Sequence, residues 1–123
     1  QTLVEIAVLG EAAGVPRHTT LDVINRSVLG SAFSRYRTAG MVNLDNPVAF
    51  TLDLLRKDLA LALDAARETG STVPMTAAVN ELVARLIAKE GGDGDFTDLL
   101  GQQAADCGLT LAPENIALDD GLG

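Results

Sequence analysis

The sequence predicts an all-α fold, a single helical domain of about six helices, on three observations. Leu and Ala are the commonest residues, nineteen and eighteen of 123, and both favour helices. Aromatic residues make up 3% and Trp is absent, which removes much of what β-sandwiches and barrels are built from. Apolar positions recur at three- and four-residue spacing in segments divided by Gly and Pro. With 47% hydrophobic and 21% charged residues the chain can bury a core, and its length is that of one domain.

Residues 1–9 read as a helix already under way, with Leu3, Ile6, Ala7 and Gly10 on one face, Thr2 as the one cap-type residue, and Gly14 and Pro16 as stops. The chain does not begin with Met and reads as cut from a longer protein. Thr19 and Asp22, spaced as a capping box with the shorter acid, open a second helix that carries Leu21, Ile24 and Val28 toward Gly30. Ser31 caps a short third helix through Tyr36, and residues 41–46, between Gly40 and Pro47, read as a loop. The longest periodic segment runs from about Ala49 to Glu68, with Leu52, Leu55, Leu59, Ala62 and Ala66 in one stripe and Gly70 as its stop. Pro74 opens the next helix, to about Lys89, where Ala78, Val79, Leu82, Leu86 and Ala88 are available to pack before Gly91-Gly92. Asp95 is the N-cap of a last helix, Phe96 to about Cys107. Residues 109–123 are expected to be a tail, acidic after Pro113, or an arm that docks elsewhere.

A net charge of −8 argues against a nucleic-acid backbone or an anionic membrane surface as partner, since both need a basic face. No apolar run approaches the roughly 20 residues of a membrane span. Cys107 is the only cysteine, so an intramolecular disulfide is excluded, no metal-ligand cluster is offered, and a cytoplasmic location is expected. Cys107 itself reads as a small buried residue near a helix C-terminus, away from the N-terminal position that activates a thiol. His18, at a helix entry, reads as an exposed capping or surface residue, with no carboxylate placed near it in sequence. The run 91–95 is too short for a twelve-residue calcium loop and lacks its closing Glu, which leaves a helix-to-helix turn.

The stretch from Phe50 to Asp64 is the candidate for chemistry. On a helix Asp53, Lys57 and Asp64 share a face. Asp53 and Lys57 can then be a surface i, i+4 ion pair worth a few tenths of a kcal/mol. Alternatively, Lys57 projects into a cleft and hydrogen-bonds a ligand. Residues 57–64, Lys-Asp-Leu-Ala-Leu-Ala-Leu-Asp, resemble the cofactor-binding signature Lys-Asp-Leu-Gly-x-Ala-x-Asp of the β-hydroxyacid dehydrogenases related to 3-hydroxyisobutyrate dehydrogenase, with Ala60 in place of Gly. Further matches follow in order: Glu5 and Ala13-Gly14, Phe50, Ala65-Ala66, Pro74, and the run Gly92 to Phe96. Together they resemble that family's helical C-terminal domain over about residues 1–100.

The resemblance implies the 6-phosphogluconate dehydrogenase C-terminal domain-like fold, and a fragment of an enzyme that passes a hydride between a small hydroxy acid, or its oxo form, and NAD or NADP. By that likeness Lys57 contacts the cofactor, Phe50 and Asp58 look onto the substrate pocket, and the domain supplies one wall of the cleft and a homodimer or higher-oligomer surface. A core role for Phe50 is the competing expectation. No Gly-x-Gly-x-x-Gly turn occurs in these 123 residues, so the N-terminal Rossmann domain is expected to be missing. The catalytic general-acid lysine is expected upstream of Gln1, and the fragment alone is expected to be inactive. A non-catalytic helical oligomerisation module and a fragment of an imine reductase-like relative are the alternatives.

Overall fold

The computed structural model describes residues 1–119, so the end of the 109–123 tail lies outside the described residues. Those residues form six α-helices and a single 3-10 turn, and no strand beyond an isolated bridge between Thr51 and Asp95. The all-α expectation holds. The chain divides into two compact units.

The first unit holds α1 (Thr2–Ala12), α2 (Arg17–Arg26) and α3 (Ala32–Asn43), together with residues from Leu100 onward. α1 buries Val4, Ala7 and Val8, a stripe turned from the predicted one. Gln1 occupies its cap position without a capping side chain, and Thr2 lies inside the helix. α2 begins at Arg17, so Thr19 and Asp22 are interior and form no capping box. Its cap comes instead from Glu114, whose carboxylate accepts the Arg17 and His18 amides at 2.6 and 3.2 Å. Leu21 is buried as expected, but Val28 is fully exposed beyond the helix end.

Ser31 caps α3 as predicted, in a reciprocal box with Ser34. The helix does not stop at Tyr36. It continues through Met41 and Val42, both buried, and ends with Leu44 in the left-handed region at φ 54°. Tertiary burial there outweighs the turn-forming residues that had suggested a loop from residue 41. The segment after α6 (Leu99–Asp106) has no regular structure and docks on α2 and α3 of its own unit: Asn43 exchanges two hydrogen bonds with the Ile116 backbone. Arg17, fully buried, donates to Glu11, to the Val42 carbonyl and to the Ala112 carbonyl, each at 2.7 Å. One guanidinium therefore joins α1, α3 and the docked segment. Cys107 is exposed, not buried, because it falls past the end of α6.

The second unit, Pro47–Leu99, is a helical hairpin of α4 (Leu52–Thr69) and α5 (Pro74–Glu90). Thr51 caps α4 and Gly70, at φ 68°, closes it in a left-handed turn that few other residues adopt cheaply. Leu52 and Ala66 of the predicted stripe are buried, Leu55 and Leu59 are half-buried, and Leu63 takes the half-buried place expected of Ala62. Pro74 sits in the first turn of α5 as expected, with Val83 and Leu86 inside and Ala88 exposed. After Gly91 the chain turns back to Asp95, which caps the 3-10 turn Phe96–Asp98 through the Thr97 amide before α6 starts.

Candidate functional site

The start of α4 is held by the loop that follows α5. A helix leaves its first amides without intrahelical partners. Here Leu52 N–H donates to the Gly94 carbonyl at 3.0 Å, Asp53 N–H to the Gly92 carbonyl at 3.1 Å, and Leu54 N–H to the Thr51 hydroxyl at 3.2 Å. Gly92 leaves room for the Asp53 carboxylate, which a Cβ there would displace. The predicted helix-to-helix turn over residues 91–95 is thus also the clamp on the start of α4.

Asp95 does more than cap. Asp95 is 2% exposed, and its carboxylate accepts hydrogen bonds at both oxygens: Oδ1 from the Thr97 amide at 3.0 Å and hydroxyl at 2.6 Å, Oδ2 from the Ala49 amide at 2.9 Å and the Phe50 amide at 3.3 Å. Burial pushes its pKa up, but the Thr97, Ala49 and Phe50 bonds prevail and hold the carboxyl below its ordinary range. Asp98 is shifted the other way, raised by burial and by the Asp95 and Glu90 charges.

Phe50 is half-buried, edge-on to Phe96 with ring centroids 6.1 Å apart, while its carbonyl accepts the Phe96 amide at 3.0 Å. Lys57 lies about 7 Å along α4 from Leu52 at 1.5 Å per residue, and its side chain is 61% exposed. Its ammonium pairs with the adjacent Asp58, also exposed, at 3.3 Å, whereas the spacing had suggested Asp53. An exposed pair of this kind contributes little to stability. Lys57 is therefore available to a phosphate, hydroxyl or carboxamide oxygen of a nicotinamide dinucleotide, and its donor chemistry fits that group. Lys57 and Asp58 lie in the second turn of α4, and Phe50 precedes the helix by two residues.

The remaining candidates lie elsewhere. A surface cavity of about 440 Å³ opens where α4 gives way to α5, but its one charged lining residue, Arg67, pairs with Asp64. His18 does have a carboxylate partner, Glu114, 2.6 Å from Nδ1 and 96 residues away in sequence. The pair is half-buried and structural: Glu114 is pushed up by burial but held below its ordinary value, on balance, by its bonds to His18 and Arg17. Sequence reasoning named Asp95 only as a cap and missed its grip on Ala49 and Phe50, because nothing local signals a contact 45 residues away. Among the described residues no cluster of His, Cys, Asp or Glu could hold a metal ion, and no helix is long and apolar enough to cross a membrane.

Residues 1–102 match the family described as the NAD-binding domain of NADP-dependent 3-hydroxyisobutyrate dehydrogenase. An uncharacterized oxidoreductase of Shewanella frigidimarina is 32% identical over 81% of this chain and 34% of its own length. The 3-sulfolactaldehyde reductase of Escherichia coli is 31% identical over 86% of this chain and 36% of its own. The cytokine-like nuclear factor N-PAC of Homo sapiens is 29% identical over 78% of this chain and 17% of its own. The chain thus spans about a third or less of the length of these relatives.

Proposed function

The chain belongs to the NAD-binding family of NADP-dependent 3-hydroxyisobutyrate dehydrogenase, and from that premise we propose that it is the helical C-terminal domain of an NAD(P)-dependent β-hydroxyacid dehydrogenase. It works beside a Rossmann domain that carries the Gly-x-Gly-x-x-Gly turn, and forms one wall of the cleft between them. The observation that carries this is Lys57, the lysine of the family's signature, standing exposed in the second turn of α4.

When bound, the dinucleotide supplies the hydride acceptor or donor. Lys57 binds and orients it through its ammonium, with the stem lying along the helix surface. Phe50 walls the substrate pocket and excludes water. Asp58 makes a polar contact to a small hydroxy acid or its oxo form. Orientation of two bound reactants is worth several kcal/mol of a barrier, so a domain that only positions them still raises the rate. The proton is handled by the general-acid lysine on the long helix that enters this domain, upstream of Gln1, so the 123-residue chain alone does not turn over.

In the assembled enzyme, Lys57→Ala is expected to lower kcat/KM for NAD(P)H about tenfold or more, the cost of a charge-assisted hydrogen bond of about 1.5 kcal/mol or above. An unchanged cofactor KM and kcat reduces Lys57 to a surface residue and removes the proposal.

A second reading of the domain is a non-catalytic oligomerisation module. The dimer surface belongs to both versions and is supported by exposed apolar residues at the end of α2 and the start of α3: Val23, Val28, Leu29 and Phe33. Turnover by the chain joined to its Rossmann partner separates the two.

A further inference from the structure

We propose that Asp95 is a positioning residue for the substrate pocket, acting through Phe50; this rests on the assignment of Phe50 as a pocket wall. Capping the 3-10 turn uses only Oδ1, which takes both Thr97 bonds. Oδ2 is spent on the Ala49 and Phe50 amides, in the extended stretch before α4. The next residue, Phe96, takes the other two holds on Phe50, its carbonyl through the Phe96 amide and its ring through the edge contact. Phe50 is thus fixed at its amide, its carbonyl and its ring by one dipeptide.

An exposed Asp would cap the turn equally well. Burying an ionised carboxylate is costly unless its lone pairs are used, and the second oxygen accepts both amides of the segment that carries Phe50. α4 keeps separate holds, through Thr51 and the Gly92 and Gly94 carbonyls. Loss of the Asp95 carboxylate therefore loosens Phe50 and leaves Lys57 in place, which separates a substrate effect from a cofactor effect.

The test compares Asp95→Asn, Thr97→Val and Phe50→Ala in the assembled enzyme, assayed on 3-hydroxyisobutyrate and 3-sulfolactaldehyde with NADP(H). An amide has one acceptor oxygen, so Asp95→Asn abandons one of the two donor pairs, and is expected to raise the KM for the organic substrate about tenfold with the NADP(H) KM within about twofold. Thr97→Val removes the 2.6 Å hydroxyl bond alone and is expected to lower Tm with both KM values unchanged. Asp95→Asn combined with Phe50→Ala is expected to be no worse than Phe50→Ala. If Asp95→Asn does not fold, Asp95→Glu, which displaces both oxygens by a methylene, is read in the same way. Equal changes in both KM values, no change in either, or a substrate effect from Thr97→Val as large as that from Asp95→Asn overturns the proposal. If Phe50→Ala moves the substrate KM and Asp95→Asn does not, only the role of Asp95 falls. If Phe50→Ala has no effect, or the wild type turns over neither compound, the pocket assignment falls and this inference with it.

Discussion

Arg17 and Glu114 show what single side chains do here. Arg17 occupies the first turn of α2, where a cation is unfavourable to the helix dipole, and is nonetheless fully buried because it gives three hydrogen bonds to Glu11, Val42 and Ala112. Glu114 supplies the negative charge that end of the helix favours, accepting the Arg17 and His18 amides and the His18 ring. Its carboxyl is held below the ordinary Glu value, with burial opposing and the His18 and Arg17 bonds winning. A group whose folded value is depressed stabilises the fold above its unfolded value, and loses that contribution as pH falls through the folded one. Glu114→Gln is therefore expected to cost about 1 kcal/mol at pH 7, the worth of an N-cap. In thermal melts that difference should be complete above about pH 5 and shrink below pH 4. A difference that is flat with pH would mean that the charge on Glu114 does nothing.

Among the elements, α3 departs furthest from expectation, and its end is also where strain is stored. Leu44 holds the C-cap in the left-handed region at φ 54°, donating its amide to the Gly40 carbonyl. An L side chain pays about 1 kcal/mol there that glycine does not. Leu44→Gly is expected to raise Tm by about 3 °C, the contribution of its side chain, 38% exposed, being smaller than the strain relieved. A lower Tm would show that Leu44 packing outweighs its backbone. The other end of α3 was legible, since Ser31 and its partner Ser34 lie within one turn. The continuation through Met41 and Val42 was not, because the residues that bury them come from elsewhere in the chain. α5 was read nearly to both ends and α4 to its C-terminus, by Pro74 and Gly91 for one and Gly70 for the other, whereas the start of α4, read at about Ala49, falls at Leu52 behind the Thr51 cap.

At the scale of the molecule, the first unit exposes apolar side chains around the turn between α2 and α3. Val28 is fully exposed and Leu29 is 69% exposed, beside Val23 and Phe33 in the same stretch of chain. The dimer surface proposed for the domain predicts self-association at micromolar concentration, read by sedimentation equilibrium, and a shift toward monomer in Leu29→Asp with Tm unchanged. A wild-type chain that sediments as a monomer at tens of micromolar removes the surface from the proposal. The same purified chain should show no oxidation of 3-hydroxyisobutyrate with NAD or NADP, and measurable turnover would contradict the assignment of the proton-transferring lysine to a segment upstream.

Sequence by itself determined the helical class, most helix ends and the exposed lysine signature, since these depend on periodicity, caps and motif residues a few positions apart. Lys57 and Asp58 could be singled out that way, and so could Phe50. Only the tertiary structure decided where α2 starts, how far α3 runs, what His18 meets and why Asp95 is buried. Each of these depends on partners brought together by chain closure, 45 residues away for Phe50 and Asp95 and 96 for His18 and Glu114. Local pattern carries no information about which distant carboxylate will arrive at a helix end, and burial then makes that arrival worth more than any local preference.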